Sequence, residues 1–325
     1  MGDAFGMKRA FVFPGQGSQA VGMGRGLADA FPAARRLFDE VDEALSQHLS
    51  RLMFEGPEND LTLTENAQPA LMAASLAVLR ILEAEGGLAL AGDVAYVAGH
   101  SLGEYSALAA AGALTVGDAA RLLKLRGQAM QEAVPLGKGA MAALLGLDVE
   151  TARVVAAEAA AAGAAHTREV CAVANDNAPG QVVVSGHHDA VERAIAIARR
   201  RGARRSIVLP VSAPFHSQLM APAATVMAAA LERAELRSPL VPLVANVSAI
   251  AVRDPAEIKR LLVEQVTAMV RWRESVLFLK NAEVEEIVEI GAGRVLTGLV
   301  KRIAPDLGAR SVGMPAEVEA LLNDL

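Results

Sequence analysis

The sequence predicts an α/β fold, in which helices cover a parallel sheet and a smaller α/β unit is inserted into the chain. Short apolar runs such as Arg9–Phe13 and Val94–Ala98 indicate buried strands, and segments with helical spacing of apolar residues follow them. The chain has 325 residues, more than one ordinary domain, which favours an insertion or two domains. Hydrophobic residues make up 53% of it, enough for a substantial core.

Helices in the first part of the chain are bounded by proline, glycine and a capping residue. Proline suits the start of a helix, glycine its end and threonine its N-cap. The predicted helices are one after Pro32 with Leu37, Val41, Leu45 and Leu49 on one face, one from Pro69 to Gly86–Gly87, one from about Glu104 to Ala111, and one from an N-cap at Thr115 to Met130.

The segment 139–208 has a different order of elements. Strands are predicted at Ala140–Leu145, Val170–Ala174, Gln181–Val184 and Ser206–Leu209, and helices at about Asp148–Ala162 and Asp189–Arg201. This βαββαβ order is the ferredoxin-like arrangement. We therefore expect a large α/β domain formed by residues 1–138 and 209–325, with a small subdomain at 139–208.

Charge and apolar patterning exclude several classes of protein. The formal net charge is -6, which argues against nucleic acid as the main partner. Cys171 is the one cysteine, so no disulfide can form within the chain. The longest uncharged run, Ser206–Leu231, is interrupted by prolines, and no secretory signal is evident near Met1. These features predict a cytoplasmic protein that does not enter the membrane.

A Gly-x-Ser-x-Gly motif, Gly99–Gly103, lies between a predicted strand and a predicted helix. A serine on such a turn is held in a strained, exposed conformation. The helix that follows directs its N–H groups and its dipole at the serine, which helps to bind an oxyanion. The motif therefore predicts a nucleophile, Ser101, rather than an ordinary glycine-rich turn.

A nucleophilic serine needs a base, and His216 is the candidate, although a histidine at a helix N-terminus with no catalytic role fits the same pattern. It lies between a strand and a helix, where sites on α/β sheets gather. His100 adjoins Ser101 but should point elsewhere, and surface positions are expected for His48, His166, His187 and His188. No acid stands out as the third member of a triad. That absence weakens an interpretation as an ordinary lipase or esterase.

Other polar segments permit more than one interpretation. Gly15-Gln16-Gly17 formally begins a dinucleotide fingerprint, but a helix occupies the place of the required second strand, so we interpret it as a ligand-approaching loop. Arg126 fits a helix-end charge, and Asn175 fits a turn before Pro179–Gly180. The arginine-rich segment 199–205 is the one place with enough positive charge to attract an acidic partner.

Together these residues resemble the malonyl-CoA:acyl-carrier-protein transacylases of fatty-acid synthesis and the related acyltransferase domains of polyketide synthases. The most specific motif is Gly-His-Ser-Leu-Gly-Glu-Tyr at 99–105, and the resemblance extends from Phe13–Gln19 to Gly291–Leu299. It implies a hydrolase-like parallel-sheet domain with a ferredoxin-like insertion. It also explains the missing acid, since this family has none.

The resemblance implies a role for each matching residue. Ser101 would carry the acyl group, His216 would be its base, and the backbone N–H groups of Gln16 and Leu102 would form the oxyanion hole. Arg126 would hold the malonyl carboxylate and Gln265 would orient the histidine. The residues expected to contact substrate are Arg126, Gln265, Phe215 and Asn175. The implied partners are malonyl-CoA and acyl carrier protein, with no metal or cofactor and a monomeric enzyme.

Two rival functions remain open from the sequence. A serine thioesterase or esterase would use the same residues and differ only in letting water resolve the acyl-serine. A non-catalytic protein that binds acyl-CoA would have kept the fold without the chemistry.

Overall fold

The computed structural model of the protein describes residues 7–161 and 169–324. Residues 162–168, which include His166 and the predicted helix end at Ala162, lie outside that range. The strands are β1 (Arg9–Phe13), β2 (Tyr96–Gly99), β3 (Gly139–Leu145), β4 (Cys171–Ala178), β5 (Gln181–His187), β6 (Arg205–Val208), β7 (Leu243–Val244), β8 (Ala251–Val252), β9 (Glu286–Ile290) and β10 (Gly308–Val312). The helices are α1 (Arg25–Ala30), α2 (Pro32–Leu45), α3 (Leu49–Glu55), α4 (Glu58–Thr62), α5 (Thr64–Gly86), α6 (Leu90–Asp93), α7 (Gly103–Ala110), α8 (Val116–Glu132), α9 (Val149–Ala161), α10 (His188–Arg200), α11 (Ala221–Arg233), α12 (Pro255–Gln265), α13 (Trp272–Asn281), α14 (Val295–Ile303) and α15 (Pro315–Leu322).

The larger sheet has six strands in the order β10-β9-β1-β2-β7-β8. All neighbouring strands are parallel except β7 and β8, which are antiparallel. In the register between β1 and β2, Phe13 lies beside Gly99, so both strands end at the same edge. Because the carboxyl ends of parallel strands share that edge, the turns that follow them can meet in one site.

The smaller sheet has the order β4-β5-β3-β6, and each neighbouring pair is antiparallel. Its chain order, β3-α9-β4-β5-α10-β6, is the predicted βαββαβ sequence of elements. Apolar side chains of α9 and α10 pack against this sheet in a core of their own, which includes Val155, Val184 and Ile197. The prediction of an α/β protein with a separate small sheet is confirmed.

Three local predictions are wrong. Helix α5 begins at Thr64, so Pro69 lies inside it rather than at its start. The helix is buried along most of its length, and that packing outweighs the one hydrogen bond lost at the proline. Leu49 does not continue α2, because Ser46 adopts φ 48° and ends that helix. Asn175 belongs to β4 and not to a turn, because pairing with β5 continues through Ala178 across two register shifts.

Helix α5 passes through the centre of the large core. It is long and apolar enough to cross a bilayer, but 83% of its apolar window is buried inside the protein, as in the core helix of a globular domain. The uncharged run Ser206–Leu231 is divided between β6, a loop, the 3₁₀ turn Gln218–Met220 and α11. It therefore forms no single long helix.

Two glycines bring the turn after β2 close to β1. A Cβ atom on Gly99 would lie 1.9 Å from the carbonyl carbon and oxygen of Gly103. A Cβ atom on Gly103 would lie 2.3 Å from the carbonyl oxygen of Phe13. Real Cβ atoms do not approach backbone so closely, so α7 can begin directly behind the turn only with glycine at both positions. This close packing fixes where Ser101 stands.

Candidate active site

Ser101 lies on the tight turn between β2 and α7. Its φ is 53°, in the left-handed region that non-glycine residues seldom adopt. The Ser101 N–H donates to Asn246 Oδ1 at 2.8 Å, and the Ser101 carbonyl accepts from Gln265 Nε2 at 3.0 Å. Asn246 is itself tied to the turn, since its Nδ2 donates to the Gly99 carbonyl at 2.6 Å. Hydrogen bonds at both ends of the residue hold the strained backbone in place.

His216 reaches Ser101 from the loop before α11. The distance from Ser101 Oγ to His216 Nε2 is 2.8 Å. The other ring nitrogen, Nδ1, lies 2.8 Å from the backbone carbonyl oxygen of Gln265. A carbonyl can only accept, so Nδ1 carries the proton and Nε2 is left free to accept the serine proton. Burial, reinforced by the nearby Arg126 cation, lowers the pKa of His216 to about 3, so the imidazole is neutral near pH 7.

Arg126 projects from α8 into the same site and is 1% exposed. Its Nη1 donates to Gln68 Oε1 at 2.9 Å, and its Nη2 donates to Gln265 Oε1 at 2.8 Å and to Ser101 Oγ at 3.1 Å. Among the described residues, no carboxylate forms a salt bridge with it. Its Nε is buried and has no hydrogen-bond partner in the described part of the chain. Burial lowers the pKa of Arg126, from a starting value so high that the side chain remains a cation.

The unpaired Nε has a specific geometric meaning. In any guanidinium, Nε and Nη2 point their hydrogens toward the same edge, and a carboxylate can bind that edge through both oxygens. In Arg126 the Nη2 atom of this edge lies 3.1 Å from Ser101 Oγ. A buried donor left without a partner is rare in proteins and calls for a ligand or a water. Arg126 therefore presents a ready carboxylate-binding edge beside the nucleophile.

Glu104 is a buried acid that the sequence interpretation did not single out. It lies on the first turn of α7, is 1% exposed, and accepts hydrogen bonds from Gln265 Nε2 and, at 3.2 Å, from the Asn246 backbone N–H. Burial raises the pKa of its carboxyl to about 7. The signal was present, because Glu104 is part of the Gly-His-Ser-Leu-Gly-Glu-Tyr motif.

Asn246 and Gln68 were missed for different reasons. Asn246 follows the short strand β7, which lies beside β2, so the rule that sites collect at the carboxyl ends of strands could have found it. Gln68 lies in the middle of an apolar helix, and nothing in its local sequence distinguishes it from a core position.

Gln265 contacts the site in a way that differs from the expectation. Its backbone carbonyl, and not its side chain, faces the histidine. The side-chain amide instead joins Arg126 on one side to Glu104 and the Ser101 carbonyl on the other. The histidine is thus oriented without any side-chain acid, which agrees with the absence of a third triad member in the sequence.

The two proposed oxyanion donors lie on turns beside the serine. Gln16 follows β1, and Leu102 immediately follows Ser101 at the N-cap of α7. Neither backbone N–H donates to another group within residues 7–161 and 169–324. The turn after β1 packs closely on the turn that carries Ser101. A Cβ atom on Gly15 in the first of these turns would lie 2.8 Å from the His100 carbonyl oxygen in the other. Both donors therefore stay available on adjacent turns.

The remaining candidates lie at varying positions around the site. His100 Nε2 bonds Asn177 Oδ1 at 2.9 Å, and the His100 and Trp272 ring centroids are 5.6 Å apart. His100 is therefore held by these residues and does not bond the serine hydroxyl. Phe215, 8% exposed, precedes His216 and packs into the core. Asn175 is 6% exposed and pairs with Val270 through the backbone. Among the described residues, no hydrogen bond connects Asn175 with Ser101.

One group of metal-capable side chains lies together in the described part of the chain, His188, Asp189 and Glu192. All three are exposed on α10 and none contacts Ser101 or Arg126. The residues around Ser101 are a hydroxyl, an imidazole, a guanidinium and amides, with a single carboxylate. This set is suited to proton transfer and anion binding.

Comparison with known proteins agrees with this site. A serine and a neutral histidine on an α/β sheet, with a buried cation beside them, define a covalent acyl-group site. A family model described as "Acyl transferase domain" matches residues 10–311. The "Malonyl CoA-acyl carrier protein transacylase" of Bacillus subtilis (strain 168) is 46% identical over 318 residues, which are 98% of this chain and 97% of that protein.

Solved structures give the same result. An acyl-carrier-protein-S-malonyltransferase from Bartonella henselae has 53% sequence identity and a TM-score of 0.93, covering 98% of this chain and 99% of that one. A type II PKS acyl-carrier protein in complex with its malonyl-transacylase contains a chain with 43% identity and a TM-score of 0.92, covering 98% and 100%. The chain belongs to the acyl transferase family, and within it to the malonyl CoA–acyl carrier protein transacylases.

Proposed function

We propose that this protein transfers a malonyl group from malonyl-CoA to the phosphopantetheine thiol of acyl carrier protein, through a malonyl ester on Ser101. The observation that carries the proposal is the position of Ser101 Oγ, 2.8 Å from the base His216 and 3.1 Å from Arg126. A neutral base and a carboxylate-binding cation on either side of one hydroxyl match a substrate that has a thioester at one end and a carboxylate at the other.

In the first half-reaction, Ser101 Oγ attacks the thioester carbonyl while its proton passes to His216 Nε2. The N–H groups of Gln16 and Leu102 stabilise the oxyanion of the tetrahedral intermediate. When the carbon–sulfur bond breaks, the imidazolium returns the proton to the sulfur, and CoA leaves as a thiol. The Gln265 carbonyl, which lies 2.8 Å from Nδ1 of the neutral ring, also accepts a hydrogen bond from the imidazolium.

In the second half-reaction, the carrier-protein thiol gives its proton to His216 and attacks the malonyl-Ser101 ester. Collapse of the intermediate breaks the ester carbon–oxygen bond and returns the proton to Ser101 Oγ. No redox step occurs and the thioester is already activated, so the residues present are sufficient for the reaction without a cofactor.

Several broader features belong to the same proposal. We assign residues 1–138 and 209–325 to a hydrolase-like domain and residues 139–208 to a ferredoxin-like subdomain. The strand order β4-β5-β3-β6 supports that subdomain, because it places the first and third strands of the βαββαβ segment, β3 and β5, at the centre of the sheet. We further propose a soluble, cytoplasmic, monomeric enzyme.

Arg126 is the proposed source of selectivity for malonyl. Acetyl-CoA lacks the carboxylate, so its binding leaves the buried guanidinium unpaired, at a cost on the order of 3–5 kcal/mol. We expect Arg126→Ala to lose several hundredfold or more in malonyl transfer but to keep or gain transfer of acetyl. Arg126→Lys should fall between, because lysine keeps the charge but cannot bind a carboxylate along one edge. The measurement is kcat/KM for malonyl-CoA and acetyl-CoA with all three proteins.

Arg121, an exposed arginine on the same helix, provides the matched control. Arg121→Ala should retain the wild-type ratio of malonyl to acetyl transfer. If Arg126→Ala also retained that ratio, Arg126 would not bind the acyl carboxylate.

The arginine-rich segment 199–205 is the proposed docking site for the acidic carrier protein. Arg199 and Arg200 are exposed at the end of α10, and Arg205 is exposed at the start of β6. Changing these three to glutamate should raise the KM for carrier protein and weaken its salt dependence, with little change for malonyl-CoA. Arg36→Glu, on another exposed helix face, is the control. An unaltered carrier KM in the triple variant rules out docking at this segment.

The decisive experiment for the function is intact-protein mass spectrometry after mixing with malonyl-CoA. A malonyl adduct that persists in water and is discharged by the carrier thiol supports the transferase. Rapid hydrolysis without a thiol would instead identify a thioesterase, and the absence of an adduct would identify a non-catalytic binder.

A further inference from the structure

The buried carboxylate of Glu104 has no part in the chemistry proposed above. Its two oxygens accept from two different residues, Gln265 through the side-chain amide and Asn246 through the backbone N–H. These are the same two residues that hold the carbonyl and the N–H of Ser101. Glu104 thus bonds both of the residues that hold the backbone of Ser101, and does not itself bond the Ser101 hydroxyl.

The Gln265 amide also connects Glu104 with Arg126. Its Nε2 donates to Glu104 and its Oε1 accepts from Arg126 Nη2 at 2.8 Å, so the carboxylate and the guanidinium fix the two ends of one amide. The opposite orientation of the amide would place its NH₂ group against the Arg126 donors and its oxygen against the carboxylate. Glu104 therefore determines which end of Gln265 faces the guanidinium.

Glu104 and Arg126 are connected by charge as well as by the Gln265 amide. Arg126 has no carboxylate in salt-bridge contact among the described residues; burial lowers its pKa, and the neighbouring Tyr105 and Glu104 act in the opposite direction. Around Glu104 the other titratable groups are neutral at pH 7: His216 from the loop before α11, and Tyr105 on α7, whose pKa burial raises to about 12. When Glu104 is ionised, the free site is therefore a buried pair of opposite charges, bridged by an amide.

We propose that Glu104 is a positioning residue and the counter-charge of Arg126, which holds the Gln265 amide in the free enzyme and takes up a proton when the malonyl carboxylate binds Arg126. This inference rests on the proposed malonyl transfer. A second carboxylate brings the buried site to two negative charges and one positive. Uptake of one proton from the medium by Glu104 restores neutrality, and the protonated acid can still accept from Gln265 through its carbonyl oxygen.

The site's charges give the expected pH dependence. The Glu104 carboxyl, with its pKa raised by burial to about 7, is protonated in the free enzyme at pH 6 and ionised at pH 8. Binding that requires the protonated form weakens as pH rises through this range. The half-saturating malonyl-CoA concentration for acylation should rise about 5- to 10-fold between pH 6 and pH 8.

The test compares wild type with Glu104→Gln in single-turnover acylation of Ser101 at pH 6 and pH 8. In the variant, the half-saturating malonyl-CoA concentration should not rise between pH 6 and pH 8, because a glutamine cannot take up a proton. Its maximal acylation rate should fall about 10-fold for malonyl and acetyl alike, because the NH₂ group of a glutamine cannot accept a hydrogen bond, whereas each oxygen of the Glu104 carboxyl group can. Acetyl-CoA, which has the same phosphates but no acyl carboxylate, should show no difference in pH dependence between the two proteins.

Glu289→Gln is the matched control. Glu289 is fully buried on β9, two strands away from β2, and its carboxylate bonds the first turn of α14 instead of the groups around Ser101. This variant should keep the pH dependence of the wild type. If Glu104→Gln keeps it too, Glu104 is a structural residue and the inference is wrong.

A measurement on the wild-type protein avoids dependence on a variant that fails to fold. Formation of malonyl-enzyme at pH 7.5 in a weakly buffered solution with a pH indicator should consume protons, and formation of acetyl-enzyme should not. Equal proton release or uptake for the two acyl groups overturns the inference. Failure of the proposed function looks different, because then no malonyl adduct forms on wild-type protein at any pH.

Discussion

Ser101→Ala is expected to abolish both malonyl labelling and malonyl transfer while leaving the fold unchanged. The substitution removes one hydroxyl whose hydrogen-bond partners, in the part of the chain that the structure describes, are the His216 ring and the Arg126 guanidinium. Transfer without the covalent step would require the carrier thiol to attack malonyl-CoA directly, without the acyl-serine that the pairing of Ser101 with His216 provides. We expect loss of more than about 10⁴-fold, measured as malonyl transfer to carrier protein and as adduct mass.

Ser106→Ala is the matched control for this experiment. Ser106 is buried on α7, five positions beyond the nucleophile, and its hydroxyl has no partner among the described residues. The control should label and transfer normally. Near-normal transfer by Ser101→Ala itself would refute the acyl-serine mechanism outright.

His216→Ala should slow both half-reactions by about 10²–10⁴-fold. One imidazole takes the proton from Ser101 in the first step and from the incoming thiol in the second, so the loss should be similar in each. Single-turnover acylation and single-turnover discharge measure the two steps separately. His188→Ala, at an exposed position on α10, is the control. Loss in only one half-reaction would point to a second base.

The environment of His216 also predicts a pH profile. Burial lowers its pKa to about 3, well below the ordinary value of 6.5. An imidazole whose pKa is lowered stays neutral, and able to accept a proton, at every pH above the lowered value. Acylation by acetyl-CoA, which has no acyl carboxylate to involve Glu104, should therefore not decline between pH 8 and pH 5. A decline centred near pH 6.5 would show that the ring is ionised in the working enzyme.

Much of this site was accessible from the sequence because its chemistry is local. Gly99–Gly103 specifies the turn through backbone sterics, which one stretch of chain contains entirely, and Thr115 caps α8 as predicted. His216 was recognisable because it lies between a predicted strand and a predicted helix and because the resemblance to the transacylases implies a base there. Element order also follows from local apolar spacing, so the βαββαβ segment could be predicted.

The remaining features depend on contacts between distant segments. Arg126 looks like a helix-end charge in sequence, and only the packing of α5 against α8 makes it a buried cation bonded to Gln68. Glu104 and Gln265 are 161 positions apart, and no spacing rule connects them. Asn175 was assigned to a turn because Asn and Pro favour turns, yet strand pairing with β5 overrides that preference.

The carbonyl that orients His216 has a consequence for how this enzyme can change over time. An acid that orients a catalytic histidine can be lost through one codon change, but all twenty amino acids carry a main-chain carbonyl. No substitution at Gln265 deletes the group that Nδ1 bonds, as long as the end of α12 keeps its path. A change of the side chain at that position, which bonds Arg126, Glu104 and the Ser101 carbonyl, would alter the acyl-group site without removing the partner of Nδ1. The orientation of the base thus depends on the main-chain carbonyl of Gln265, and the contact with the acyl-binding arginine depends on its side chain.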